Sequence, residues 1–575
     1  MDDGSSMTLA PAPETWRVKN RFEVGADGAI RHINQGKVRY SRFGANKSAH
    51  RVGFGGWAPN QGPTESESDR NAILDSVAFR RLMGVTQIVS PDPDSPYLNT
   101  RYSHSLKVAQ LARHISERLI RNADIDGSPT SPDAVKRSAR DCLKRFGGLD
   151  SVACEAAGLA HDLGHPPFGH IGERVINQCL QSRGVHDGFE GNAQTFRILT
   201  VLEGERPEGT RSSNIDTGLG LSALVRCAVL KYPWTRDDAP STRKDRWAKY
   251  CVYSTEKKVF ANARTKMGFK ATDQTQSLEA SIMDLADDVA YSFHDLEDFT
   301  RVGVLNGYAV VRALEEWKEY CDANSGILAD DVNHCREWIT IISTSDSPKE
   351  REKAQNHLDD LLHRDYSNPF WGAVFNLARV PYFNTRDWHE ATRIVLDQMN
   401  TLVKTQSVFD LRFVLSEWQE QVLDKVVYQK DGVWLGGPCV SLEKHYWHQV
   451  EMYKVVTQRF VHVSPRVTLI QRAQRQSIRS LFDGLVEWCN EGVRTDELPP
   501  RLRDMLTCEG IEPYTTTGLP VVGSLDPEPL EPSTEQYRTL RCISDYICSL
   551  TDYECQQRSS WLRGLEIPGI SHMLP

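Results

Sequence analysis

A chain of 575 residues and 65.0 kDa has the material for a large core and for more than one domain. With 39% apolar and 25% charged residues, a formal net charge of -9 and a pI near 6.0, it reads as globular. That balance gives no global electrostatic drive toward nucleic acid or anionic membrane.

Cysteine count and hydropathy narrow the class further. The 13 cysteines are odd in number and form no C-x-x-C pair, which argues against a disulfide framework or a zinc ribbon. No apolar run approaches ~18 residues, and the start M-D-D-G-S-S-M lacks signal-peptide character. The expectation is a cytoplasmic protein with reduced thiols and no membrane span.

Residues 1–68 are polar and rich in Gly and Ser, with a short β-hairpin expected between Phe22 and Tyr40. Asp69 opens a helical stretch to Met83, in which Ile73, Val77 and Leu82 fall near helical spacing. Gly84 ends it, and V-T-Q-I-V is extended. After a Pro- and Asp-rich loop, R-Y-S-H-S-L-K-V-A-Q-L-A-R-H-I is helical, with His104 in its first turn and Leu106, Leu111, Ile115 and Leu119 as core candidates. Residues 122–135 read as a loop, and a helix through Cys154 to Leu159 leads to the most informative stretch of the chain.

That stretch is A-H-D-L-G-H-P-P-F-G-H-I-G-E, Ala160 to Glu173. Gly164, Pro166, Pro167 and Gly169 forbid one continuous helix. The pattern predicts a helix ending at His161-Asp162, a tight turn, and a new helix near Phe168. Such a break aims several ionisable side chains at one place. His161-Asp162 alone reads better as a core histidine beside a helix-capping aspartate.

Downstream, G-F-E-G-N-A-Q-T-F-R-I-L resumes helix and residues 203–214 form a solvated loop. L-V-R-C-A-V-L-K-Y-P-W is a helix stopped by Pro233. From Leu278 to Phe299, Leu278, Ile282, Leu285, Val289, Phe293 and Leu296 make one apolar face of a long helix. Helical patterns dominate from there to about Cys489. Residues 491–536 read as a Pro/Glu-rich connector and 537–575 as a C-terminal helix around Thr539 to Arg563.

Candidate chemistry gathers from three distant helices. Asp287, Tyr291 and Asp295 lie at i, i+4 and i+8, one face of their helix. With His104, His161 and Asp162, Asp287 makes a set of two imidazoles and two carboxylates. That set suits one Mn, Mg, Fe or Co ion with positions left for water and substrate. Zinc would have no thiolate here. His170 and Glu173 are one helical step apart, with His165 in the turn.

These residues sit in stretches that resemble the HD-domain deoxynucleoside triphosphate triphosphohydrolases, specifically the bacterial dGTPase-like group. The matching text is F-R-R-L-x-x-x-T-Q (Phe79 to Gln87), R-x-S-H-S-L-x-V (Arg101 to Val108), H-D-L-G-H-P-P-F-G-H-x-G-E (His161 to Glu173), F-E-G-N-A-Q-T-F-R-I-L (Phe189 to Leu199), L-K-Y-P-W (Leu230 to Trp234), A-D-D-V-A-Y-S-F-H-D (Ala286 to Asp295) and D-Y-I-x-x-x-T-D (Asp545 to Asp552).

The resemblance implies an all-α fold with few short strands. An HD-domain catalytic core would span 69–300, and a helical region over 301–490 would complete the pocket and the oligomer contacts. It also implies that His104, His161, Asp162 and Asp287 bind the metal. Asp288 is the adjacent competitor, turned about 100° off the Asp287-Tyr291-Asp295 face.

Further roles carried over are His170 as proton donor to the leaving 5′ oxygen, Glu173 as its orienting carboxylate, and His165 as a phosphate contact assisting in-line attack. Lys231, Tyr232 and Lys249 match phosphate-binding positions, while Lys257 reads better as a solvated surface charge. Arg101 reaches the phosphates, Asn192 and Gln194 line the cavity, and Gln87 addresses the sugar. Tyr291 stacks under the deoxyribose and Asp295 accepts from its 3′-hydroxyl.

The reaction implied is dNTP, dGTP foremost, plus water giving deoxynucleoside and inorganic triphosphate. One divalent ion sits in each site, further Mg travels with the triphosphate, and a homo-oligomer, often a hexamer, is expected. The competing classes are another HD phosphohydrolase, or a nucleotide sensor or single-stranded nucleic-acid binder on the same fold. The acidic balance disfavours nucleic acid.

Overall fold

In the computed structural model, residues 22–24, 30–32, 63–87, 99–124, 134–204, 218–239, 249–270, 272–301, 305–363, 368, 370–404, 408–433, 437–461, 465–511, 513–520 and 527–565 are described. The fold is all-α. Among these residues the strands are two short antiparallel pairs, β1 (Phe22–Val24) with β2 (Ile30–His32), and β3 (Val426–Tyr428) with β4 (Val440–Leu442). The loop text at 205–214 lies outside the described residues.

The first helical stretch begins earlier than expected and breaks in two, as α1 (Glu65–Asp75) and α2 (Val77–Arg81). Thr64 and Glu67 form a capping box at its start. Ser76 then turns extended, and its hydroxyl accepts from the Phe79 amide. The break rotates Val77 to solvent at 51% exposure, so it is no core residue, whereas Ile73 and Leu82 are buried.

Three helices form the scaffold of the larger core: α3 (Arg101–Asp124), α5 (Ser151–Ala160) and the long α10 (Leu278–Arg301). They pack on one another, with α4 (Ala134–Phe146) alongside α3. All six residues of the predicted α10 stripe are buried, as period-3.6 patterning requires. On α3, Leu111, Ile115 and Leu119 are buried, but Leu106 is 40% exposed.

The text expected to form a helix up to Pro233 yields only α8 (Ala223–Ala228). The residue before a proline disfavours the helical region, and here the chain unwinds further upstream, so Lys231 and Tyr232 lie in a turn. After α9 (Lys257–Lys266) and α10, the larger core is completed by α11 (Gly307–Thr344), α12 (Pro348–His363), α13 (Trp371–Ala378), α14 (Thr385–Lys404), α15 (Val408–Leu423) and α16 (Lys444–Phe460).

A second core is built from α6 (His170–Gln181), α17 (Pro465–Asn490), α18 (Pro500–Cys508), α19 (Glu535–Cys548) and α20 (Asp552–Leu562). Two expectations are corrected here. The connector over 491–536 is no plain extended link, because α18 lies in it and buries Leu502 and Leu506 completely. The last helix is two helices, since Thr551 caps a fresh start with Glu554. The turn between α5 and α6 joins the two cores, with Leu163 in the first and Phe168 in the second.

Candidate metal centre and its acid–base pair

The turn holds its shape through backbone approaches that admit no side chain. Helix α5 is capped by Asp150, which accepts from the Val152 and Ala153 amides at 2.9 and 3.1 Å, and ends at Ala160. Helix α6 starts at His170, two residues later than expected, because Phe168 and Gly169 take left-handed φ values of 60° and 54°. A Cβ on Gly164 would stand 2.1 Å from the Gly191 carbonyl oxygen and 2.2 Å from the Thr195 nitrogen. This is why glycine is required there.

Braces come from both ends of the chain. The Arg81 guanidinium donates to the carbonyls of Leu163 (3.0 Å), His165 (2.7 Å) and Leu550 (3.0 Å). Asp552, the first residue of α20, accepts from the amides of Phe168 (2.8 Å) and Thr86 (3.1 Å). Neither Arg81 nor Asp552 stood out as functional in the sequence, although both lie in the quoted matching stretches.

His104 from α3, His161 and Asp162 from the turn, and Asp287 from α10 converge. His104, His161 and Asp162 each offer one ligand atom, all within 4.8 Å of one another. Asp287 Oδ1 lies 3.2 Å from His104 Nε2 and 3.6 Å from His161 Nε2. The His161 Nδ1–H donates to the Gly158 carbonyl at 2.8 Å, which fixes the tautomer and turns Nε2 to the cluster. His161 Nε2 and His104 Nδ1 are buried without hydrogen-bond partners. His161 Nε2, 3.5 Å from Asp162 Oδ1 and 3.6 Å from Asp287 Oδ1, is an orphaned nitrogen between carboxylates that a cation would complete, so the donor set fits one divalent ion.

Electrostatics agree with that reading. Burial opposes charge on His161, but Asp162 and Asp287 overcome it and raise the imidazole to about 9. Burial would raise the Asp162 carboxyl, yet Arg101, whose Nη1 donates to Oδ2 at 2.7 Å, and His161 hold it well below the usual carboxylate range. The remaining oxygen, Oδ1, faces His161 Nε2 at 3.5 Å and His165 Nδ1 at 2.9 Å, the latter without hydrogen-bond alignment. Burial and then Arg101 depress His165 to about 4. Arg101 is thus committed to a candidate ligand.

Beside this cluster lies a second group, His165, His170 and Glu173, again within 4.8 Å. The rings of His165 and His170 meet edge-on with centroids 5.1 Å apart. His170 Nδ1 lies 2.8 Å from Glu173 Oε2 and its side chain is 55% exposed, whereas Glu173 is 8% exposed. Glu173 Oε1 accepts from Lys249 Nζ at 2.7 Å and from the Gly191 amide at 3.2 Å. Burial would raise the Glu173 carboxyl; Lys249 and His170 hold it well below its ordinary value. Lys249 also contacts Glu190 Oε1 at 2.9 Å. Glu190 caps α7 (Gly191–Arg197), accepting from the amides of Asn192 and Ala193.

Lys231 sits between Asp284 Oδ1 (2.6 Å) and Asp287 Oδ2 (3.0 Å). Its ammonium is raised well above the usual range, because those carboxylates overcome burial. Tyr232 packs tilted on Trp234, Asn192 Nδ2 donates to Glu190 at 2.9 Å, and Tyr291 is half-buried on α10 one turn beyond Asp287. Gln87 is half-buried with Oε1 unpartnered. Gln194 is fully buried, donating to Asp545 at 2.7 Å and accepting from Tyr253. Lys257 is exposed, 3.6 Å from Asp238. The side chain of Asp295 lies outside the described residues. Asp284 was missed in the sequence; its i, i+3 spacing to Asp287 is the signal that points to it.

Residues 101–292 match the HD domain family, and all four candidate ligands lie in that span. The chain is 39% identical to a deoxyguanosinetriphosphate triphosphohydrolase-like protein of Corynebacterium efficiens over 231 residues, 40% of this chain and 44% of that one. A deoxyguanosinetriphosphate triphosphohydrolase-like protein 2 of Mesorhizobium japonicum is 40% identical over 246 residues, 41% of this chain and 46% of that one. These two alignments span under half of the relatives' lengths. A longer one, to the deoxyguanosinetriphosphate triphosphohydrolase-like protein of Histophilus somni, is 31% identical over 345 residues, 54% of this chain and 68% of the relative. The chain therefore belongs to the deoxyguanosinetriphosphate triphosphohydrolase-like family of HD-domain phosphohydrolases.

Proposed function

We propose that this protein hydrolyses deoxynucleoside triphosphates, dGTP foremost, to the deoxynucleoside and inorganic triphosphate, with water attacking the α-phosphate. The supporting observation is the contact between the two side-chain groups. His165 lies 2.9 Å from Asp162 of the ligand set and ring-to-ring with His170 of the acid–base pair. A reacting phosphate seated against one group is within reach of the other.

A Mn, Mg, Fe or Co ion held by His104, His161, Asp162 and Asp287 would polarise an α-phosphate oxygen and orient the water. The chain's own groups do the rest. His170 binds Glu173 through Nδ1, which leaves Nε2 on its exposed side to deliver a proton to the departing 5′ oxygen. His165, kept neutral by burial and Arg101, contacts the phosphate without adding charge that would repel the ion. Lys231 and Lys249 stay cationic beside their carboxylates and offer charge to the triphosphate. Tyr291 and Asp295 receive the deoxyribose, Gln87 and Asn192 line the pocket, and Tyr232 flanks Lys231. A homo-oligomer, a hexamer foremost, and a cytoplasmic site of action belong to the same reading.

The test is a panel of the four dNTPs with Mn²⁺ or Mg²⁺, resolving products by ion-exchange chromatography. Intact triphosphate with deoxynucleoside supports the reading. Pyrophosphate, orthophosphate, or no turnover with any dNTP overturns it.

A further inference from the structure

A chain of polar contacts leads out of the ligand set. Asp287 Oδ1 faces His104, while its other oxygen, Oδ2, lies 3.0 Å from Lys231 Nζ. Lys231 Nζ is 2.6 Å from Asp284 Oδ1. Asp284 Oδ2 accepts from Gln276 Nε2 at 2.9 Å, and Gln276 Nε2 also lies 2.9 Å from the Lys231 carbonyl oxygen. Asp284 and Asp287 stand one step apart on α10, whereas Lys231 arrives from the turn after α8. Gln276 therefore holds both the backbone of Lys231 and the carboxylate that faces its ammonium.

The consequence is electrostatic. An ammonium 3.0 Å from a candidate ligand's outer oxygen withdraws charge from that carboxylate and repels a dication. A second carboxylate on the far side of the ammonium counters both effects. We infer that Asp284 is a positioning residue, which shares Lys231 with Asp287 and so keeps Asp287 oriented and available for the divalent ion. The inference rests on the proposed ligand set but not on the identity of the nucleotide. With Asp284 in place, Lys231 is held on two carboxylates, so its charge is not spent on Asp287 alone. Without it, the lysine collapses onto Asp287 alone and competes with the ion.

The experiment measures Mn²⁺ binding to nucleotide-free protein by the electron paramagnetic resonance signal of free Mn²⁺, in four proteins: wild type, D284N, K231Q and D284N/K231Q. Orienting partners outside a ligand shell typically contribute about 10–100-fold in metal affinity. D284N is expected to lose about tenfold or more by this mechanism. In the K231Q background the same change should cost less than about threefold, because the mediating ammonium is gone. D284E, which restores the charge, should recover most of the affinity. Melting temperatures measured alongside identify any variant that fails to fold.

Equal losses from D284N in both backgrounds would overturn the inference, because Asp284 would then act without Lys231. Unchanged affinity in folded D284N would overturn it too. A protein that binds Mn²⁺ in this pattern yet releases no triphosphate from any dNTP would refute the proposed reaction and leave the role of Asp284 standing.

Discussion

Replacing Glu173 with glutamine tests the acid–base pair without touching the candidate ligands. Glu173 meets donors on both oxygens, His170 at 2.8 Å on Oε2, and Lys249 and Gly191 at 2.7 and 3.2 Å on Oε1. A glutamine amide has one acceptor oxygen and one donor nitrogen. Either rotamer therefore points an N–H at a donor and leaves one partner unmatched. A hydrogen bond to a charged group contributes about 1.5–3 kcal/mol, and each ~1.4 kcal/mol is tenfold in rate. Misorienting His170 should then cost at least about tenfold. Full loss of proton delivery sets a ceiling of about 10⁴-fold.

The expected result is a kcat lower by about 10–10⁴. Mn²⁺ affinity should stay within about threefold of wild type, since Glu173 contacts no candidate ligand directly. Single-turnover release of triphosphate measures the first quantity, and titration of free Mn²⁺ the second. A kcat within threefold of wild type, or a metal affinity that falls as far as turnover, would refute the assignment.

Asp287→Ala should abolish both Mn²⁺ binding and turnover; turnover retained above about 1% would mean the fourth ligand is misassigned. Gly169→Ala forces a side chain into a φ of 54° with its Cβ 2.7 Å from Arg101 Nη2. Urea unfolding should show a loss of about 1–3 kcal/mol, and wild-type stability would refute the strain. His161, raised to about 9, is protonated at pH 7.5 in metal-free protein, and a ligating imidazole must be neutral. Calorimetry of Mn²⁺ binding at that pH in buffers of different ionisation enthalpy should therefore show about one proton released per ion, and none released would contradict it. The sign for stability follows. A raised histidine stabilises fully below ~6.5 and loses that contribution as pH rises through about 9. Metal-free protein should accordingly weaken across that window in urea titrations, beyond the change in a His161→Gln control. On α18, Leu506→Ala should cost about 2–5 kcal/mol in the same assay, and a change under 1 kcal/mol would remove α18 from the second core.

Local patterning carried much of the fold. The α10 stripe from Leu278 to Leu296 follows from periodicity alone, because a long helix buried on one face has little freedom of register. The break between α5 and α6 follows from its prolines and glycines. Short-range capping was harder to weigh. Ser76 ends one helix and starts the next, and Thr551 starts a fresh helix just past the Ser549 end cap of α19, both inside text that reads as continuous, since an N-cap hydroxyl competes with the helix only when the neighbouring packing allows it. The same limit explains why Val77 was read at helical spacing with Ile73 and Leu82 although it faces solvent.

For the site, sequence alone determined which residue types were present and which of them share one short turn or one helix face: His161, Asp162, His165, His170 and Glu173 on one side, Asp287 and Tyr291 on the other. Tertiary structure decided the partnerships across distant segments. Arg101 is spent on Asp162, Lys249 on Glu173 and Glu190, and Lys231 on Asp284 and Asp287. Arg81 and Asp552 hold the turn from opposite ends of the chain. The reason is physical: a periodic pattern fixes a side chain's direction on its own element, but the neighbour it meets is set by how elements pack, and a charge buried among strangers takes its pKa from them.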